Sequence, residues 1–114
     1  MCRDRPNVLA MLEAIGRIEE YTGPIADAQS FHASPQAFDA TLMNFVVIGE
    51  MVDRLSGDLK GRHPEVDWQE IKEFRNIVAH DYLGVDADEV WQIVQTDLPP
   101  LKACLSRILR EFPD

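Results

Sequence analysis

The sequence is poor in cysteine, in cations and in long apolar runs. Cysteine occurs twice, as Cys2 and Cys104. Neither belongs to a C-x-x-C pair or a Cys/His cluster, so neither structural zinc nor a disulfide framework is expected. That usage fits a reducing cytosol, and a cytoplasmic location is expected. Apolar runs such as Phe45-Val46-Val47-Ile48 fall far short of a membrane span, so no membrane partner is expected. Arg3, Asp4 and Arg5 lead into amphipathic sequence rather than an apolar core, which argues against a signal peptide. The chain holds 11 Lys and Arg against 20 Asp and Glu, a net charge of −9. That deficit counts against nucleic-acid binding, which draws affinity from phosphate contacts. An acidic exterior instead suits a basic protein partner. The deficit is uneven, however. From Arg54 to His80, Arg54, Lys60, Arg62, Lys72 and Arg75 balance Asp58, Glu65, Asp67, Glu70 and Glu73. RNA binding through one local patch is therefore expected to be weak and salt-sensitive.

What is present is an ordinary globular balance: 114 residues, 46% apolar and 27% charged. Residues 1–114 read as one domain, small enough that dimerisation would help to cover its core. Pro6 falls in a first turn, and Val8, Leu9, Leu12, Ile15 and Ile18 keep helical spacing until Thr22-Gly23-Pro24. Ile25 to Ala33 has room for a short helical turn. Ser34-Pro35 restarts a helix, with Ser34 as cap. Phe38, Leu42, Phe45, Val46, Val52 and Leu55 form its stripe, which Val47, Ile48 and Met51 broaden toward burial on more than one side. Gly49 in its middle would let a neighbouring helix approach closely. Ser56 to Pro64 reads as a polar connection. Asp67 caps the next helix, with Glu70 completing a capping box, and Gly84 follows its end near His80. Asp86 or Asp88 opens a last helix through Val90, Trp91 and Val94, which Pro99-Pro100 should kink or interrupt before Leu101 to Leu109. The expected fold is all-α: an antiparallel up-and-down bundle of four helices, or five counting the short one.

The helix after Asp67 carries the chemistry. At about 100° per residue, Trp68, Ile71, Phe74, Val78 and Tyr82 share a core face. Beside them lie Lys72, Arg75, Asn76 and His80, gathered around the small Ala79. Histidine moves protons near neutral pH, arginine grips phosphate oxygens with paired donors, and asparagine orients a neighbour or substrate. Those groups suffice to cleave RNA without a metal or cofactor. The ribose 2′-OH attacks, His80 moves a proton, and Arg75 stabilises charge at phosphorus. Plainer roles exist for each residue. His80 could serve the helix C-terminus. Tyr82 could be a core-edge aromatic with a wet hydroxyl. Trp68 and Trp91 suit the core, His32 and His63 suit solvent, and Glu50 suits a salt bridge or a cap, with lining the site as its lesser alternative.

The window Arg75-Asn76-Ile77-Val78-Ala79-His80-Asp81-Tyr82 resembles the R-x4-H-x-Y signature of HepT-like toxins in the HEPN superfamily. Phe45-Val46-Val47-Ile48-Gly49-Glu50, Arg54-Leu55-Ser56, Pro64-Glu65-Val66-Asp67-Trp68, Gly84-Val85-Asp86 and Asp97-Leu98-Pro99 resemble its flanking segments. The resemblance implies a HEPN-like bundle that pairs as a homodimer, with two motif helices forming a composite RNase site. Arg75 and His80 would then be catalytic, Asn76 supporting, and Lys72 an RNA contact. It also implies a toxin of the HepT/MntA toxin–antitoxin type, whose MntA-like nucleotidyltransferase antitoxin transfers AMP to Tyr82. Some HEPN proteins keep the fold without catalysis. A non-catalytic dimer that binds a nucleotidyltransferase and is its substrate is the alternative.

Overall fold

The computed structural model describes residues 3–113, which are helical with short connections. Cys2 lies outside the described residues. Among the described residues, seven α-helices run in order: α1 Asp4–Thr22, α2 Ala28–His32, α3 Pro35–Arg54, α4 Gly57–Arg62, α5 Trp68–His80, α6 Ala87–Gln92 and α7 Leu98–Leu109. The chain is all-α, as its periodicity predicts. The core is the apolar stripe of α1 (Val8, Met11, Ile15, Ile18) against that of α3 (Leu42, Phe45, Ile48, Val52). Leu98, Leu105 and Ile108 of α7 close it on the far side. α1 packs on both α3 and α7, and α3 packs on both α1 and α5. That double engagement is why α3 is apolar around more than one face. The short α2 inserts Phe31 beside Phe38 and Trp91, tying α3 to α6.

Three local expectations change. Ser56 to Pro64 is not a plain connection but contains α4. Ser56 accepts from the Leu59 amide and donates to Asp4, which also accepts from the Ser56 amide. Leu59 is fully buried and pins α4 to the bundle. The capping signal was a serine inside a polar stretch, with one buried leucine too short to register as a period. Pro99-Pro100 do not end the helical run, which continues through them to Leu109. The residues Ile93–Asp97 widen into a π turn, in which the Leu98 amide donates to the Ile93 carbonyl. The prolines then occupy the first turn of α7, where a missing amide donor costs little. His63 is not solvated. Its side chain is 12% exposed, with Nδ1 3.3 Å from Glu65 and Nε2 3.1 Å from Glu111.

Two caps behave as expected. Asp67 accepts from the Glu70 amide at the start of α5, and Asp86 accepts from the Asp88 amide at the start of α6. Ser34 precedes α3 but its hydroxyl makes no capping bond. α5 ends at Asp81, whose amide donates to the Ile77 carbonyl, and Tyr82–Gly84 forms a 3-10 turn. Gly84 does not adopt a left-handed conformation. A Cβ there would lie 2.3 Å from the Asp81 carboxylate, the end of an exposed side chain that can turn aside.

Candidate functional site

α5 has three distinct sides besides its core contact. One flank faces α3 antiparallel. Gly49 makes the approach possible, since a Cβ there would lie 2.3 Å from Arg75 Cβ and 2.5 Å from its Cγ. Across this seam the Arg75 guanidinium is gripped by α3. One terminal nitrogen donates to Glu50 at 2.7 Å, and the other donates to Asp53 at 2.7 Å. Nε donates to the Asn76 amide oxygen at 2.9 Å. Lys72 Nζ lies 3.1 Å from the other Asp53 oxygen. The Arg75 hydrogen bond holds the Asp53 carboxyl below its ordinary range, and Asp53 in turn raises Arg75.

The outward side of α5 carries Asn76 and His80, both exposed. His80 stands at the last position of the helix. Arg75 and His80 are separated by about 7.5 Å of helical rise and point to different sides of one helix. The cationic stripe read from the sequence is thus divided. Lys72 and Arg75 are matched by two carboxylates, and His80 stands apart from them. Ala79 is exposed between, leaving the surface open there.

Tyr82 lies in the 3-10 turn beyond α5 and is 41% exposed. Its hydroxyl donates to the Asp39 carboxylate on α3, which raises the phenol above its ordinary pKa. Asp39, Met43, Val46, Glu50 and Asp53 recur at helical spacing and form one face of α3. The sequence reading weighed Glu50 as a salt-bridge partner and did not single out Asp39 or Asp53. Their signal was the spacing itself, masked because α3 is so apolar elsewhere.

The other flank of α5 borders a groove of about 530 Å³ floored by Phe45 and Ile48 and walled by Ile71, Phe74, Leu98 and Leu101. Its charged lining is acidic: Glu65, Asp67, Glu70, Glu73 and Asp97. It includes none of Arg75, Asn76, His80 or Tyr82, so it is not where the polar chemistry gathers. Ile77, which also lines the groove, is 54% exposed; Leu83 at 94% and Met43 on α3 at 62% add further exposed apolar surface. Among the described residues, no group of three or more His, Cys, Asp or Glu is placed to hold a metal ion. Among them also, no helix is long and apolar enough to cross a membrane.

Comparison with known proteins adds a family to this geometry. The family model described as "Ribonuclease HepT-like" matches residues 11–108. A Thermococcus cleftensis protein named "Probable ribonuclease HepT" is 33% identical over 96 residues, covering 84% of this chain and 86% of that one. A Methanocaldococcus jannaschii protein named "Gamma-glutamylcyclotransferase and putative RNase" is 33% identical over 102 residues, covering 90% of this chain. That match spans only 46% of the relative's length. No solved structure matches. The matched region holds the whole of α3 and α5, and with them the Arg75-to-Tyr82 window. The chain belongs to the HepT-like ribonuclease family.

Proposed function

We propose that residues 1–114 form one domain of a cytoplasmic toxin, a metal-independent endoribonuclease whose site is completed by a second copy of the chain. Arg75 and His80 are its catalytic groups, Asn76 supports Arg75, and Lys72 contributes to RNA binding. The observation that carries this reading is the arrangement on α5. Arg75 is fixed against α3, while His80 is exposed and directed elsewhere. One subunit therefore cannot focus both groups on one phosphate, and two α5 helices facing each other could. The exposed Ile77 and Leu83 and the apolar groove beside α5 supply surface for such pairing.

The chemistry follows from the groups. The ribose 2′-OH attacks the adjacent phosphorus as His80 accepts its proton, and the 5′-oxygen leaves with a proton returned to it. The products are a 2′,3′-cyclic phosphate and a 5′-hydroxyl. Charge gathering on the phosphoryl oxygens is met by Arg75. A nucleotidyltransferase antitoxin would silence the site by transferring AMP from ATP to the Tyr82 phenol oxygen, which loses its proton as pyrophosphate leaves; the 41% exposure of the Tyr82 residue supports that role. The attached phosphate places negative charge and bulk beside α5.

The test is cleavage of a defined RNA by the full chain with EDTA present. His80→Ala and Arg75→Ala should each abolish it while His80→Ala keeps its thermal midpoint, since His80 is exposed. A 2′-deoxy substrate should resist. Cleavage retained by His80→Ala, or a strict need for added metal, would sink the reading. Intact mass after incubation with the nucleotidyltransferase and ATP should show AMP additions that Tyr82→Phe lacks. The balanced charge around Arg75 favours one second reading, a non-catalytic dimer that serves as nucleotidyltransferase substrate. It requires the phenotype to depend on Tyr82 and not on His80.

A further inference from the structure

An arginine on an exposed helix normally samples many rotamers, and ordering it on a ligand costs conformational entropy. Arg75 is already ordered. Its side chain is 11% exposed, and each guanidinium nitrogen has a partner: Nε with Asn76, and the terminal nitrogens with Glu50 and Asp53. Each terminal nitrogen carries a second hydrogen, so the group keeps donors for a phosphate oxygen. The partners differ in kind. Asp53 spans Lys72 and Arg75 with its two oxygens. Glu50 touches Arg75 alone, through one oxygen, and is 50% exposed. An exposed carboxylate contributes little to the stability of a fold. Its worth at this position is orientation, since two carboxylates on successive turns of α3 fix the plane of a planar fork.

We propose that Glu50, together with Asp53, is a positioning residue for RNA cleavage, holding the Arg75 guanidinium in the plane from which its remaining hydrogens meet the scissile phosphate. The inference rests on the reading of Arg75 as the phosphate-binding group. Gly49 belongs to the same device, because only a residue without a side chain lets α3 bring Glu50 and Asp53 that close to α5. Glu50 itself neither contacts RNA nor moves a proton. The opposite use of the same contacts is a brake, with carboxylates occupying Arg75 in place of phosphate. The two uses differ in sign: loss of a positioning residue slows cleavage, and loss of a brake speeds it.

The experiment is steady-state cleavage of a defined RNA oligonucleotide by the full chain, with thermal midpoints measured for every variant. Glu50→Gln should lower kcat by roughly tenfold or more, the scale on which misplacing a catalytic group acts. KM and the shape of the pH profile should stay unchanged, and the thermal midpoint should hold. In an Arg75→Lys background, Glu50→Gln should do little more, because an ammonium has no plane to orient. Asp53→Asn should act in the same direction. If it also lowers the thermal midpoint, Glu50→Gln decides. Cleavage by Glu50→Gln at or above the original rate would overturn the proposal. So would loss of the acidic limb of the pH profile, which would make Glu50 a proton acceptor, or full additivity with Arg75→Lys. Arg75→Ala separates the two levels of the argument. If Arg75→Ala cleaves normally, the reading of the site has failed. If it is inactive while Glu50→Gln is unaffected, the positioning role alone has failed.

Discussion

Replacing Gly49 with alanine forces a methyl group into the closest approach of α3 and α5. The added Cβ would lie 2.3 Å from Arg75 Cβ and 2.5 Å from its Cγ. Carbon atoms rest about 3.5–4.0 Å apart, so relief needs a displacement on the order of 1 Å. The nearest obstructing carbon, Arg75 Cβ, is bonded to the α5 backbone, and no rotamer change moves it. Overpacking of this kind costs about 1–3 kcal/mol. Alanine returns about 1 kcal/mol through helix propensity. A clash this close belongs at the upper end, leaving a net loss of about 1–2 kcal/mol, or roughly 5–10 °C in Tm for a domain of this size. The same displacement stretches the 2.7 Å bonds from Arg75 to Glu50 and Asp53 past hydrogen-bonding range. Cleavage measured well below Tm should therefore fall although the protein is folded. Gly16→Ala is the matched control, since a Cβ there meets nothing within 4 Å. It should stabilise by about 1 kcal/mol through propensity alone. Thermal melts by circular dichroism and an RNA cleavage assay read both effects. A Gly49→Ala protein that melts at or above the original temperature and cleaves normally would refute the close seam.

Two further predictions concern protonation. Asp39 raises the Tyr82 phenol above its ordinary value of 10.0. The stabilising bond is thus fully present below that value and is lost as pH rises through the raised one. An absorbance titration in a Tyr21→Phe background should show phenolate appearing later than in a free tyrosine. Asp39→Asn should bring the midpoint back down, and an unchanged midpoint would rule out the contact. The Asp53 carboxyl is shifted the other way, chiefly by the Arg75 hydrogen bond, from an ordinary 3.8. Its contribution is present above that pH and lost as pH falls through the lowered value. Asp53→Asn should therefore flatten the acid side of the stability–pH curve in denaturant titrations, and an identical acid limb would contradict the ion pair.

The sequence carried the long helices because each buries a stripe of regular period, as Val8 to Ile18 and Leu42 to Val52 do. It carried Asp67 and Asp86 as caps because a capping side chain acts on amides two or three residues away. It did not carry α4, whose fold depends on Asp4 reaching Ser56 across the bundle. Nor did it carry the enclosure of His63, which depends on Glu111 near the other end of the chain. The site divides along the same line. Arg75, Asn76 and His80 share one helix and could be read as a pattern. Their counter-charges could not, because Glu50 and Asp53 belong to α3 and meet Arg75 only after α3 and α5 pair. Gly49 offered the one local hint, as a helix-interior glycine with a propensity cost that some close approach had to offset.

That pairing alters what the charge of the site implies for RNA. Read along the sequence, Lys72, Arg75 and His80 form a cationic stripe, and binding should weaken steeply with salt. In the fold, Lys72 and Arg75 face Glu50 and Asp53, so these four side chains sum to zero charge. Counterion release scales with the number of phosphates the protein engages. If the two Arg75 groups of a dimer each engage one phosphate, the slope of log affinity against log salt is about −1.4 for single-stranded RNA. A fourfold rise in salt then weakens binding about sevenfold. Four free cations, Lys72 and Arg75 of each subunit, would give a slope near −2.8 and a loss of about 50-fold over the same range. Equilibrium binding of a 2′-deoxy-blocked RNA to the catalytically inert His80→Ala protein at about 50 and 200 mM salt separates these cases. The fixed clamp requires the shallow dependence. A steep one would mean that Lys72 and Arg75 leave their carboxylates when RNA arrives, and that α3 restrains these cations rather than aiming them.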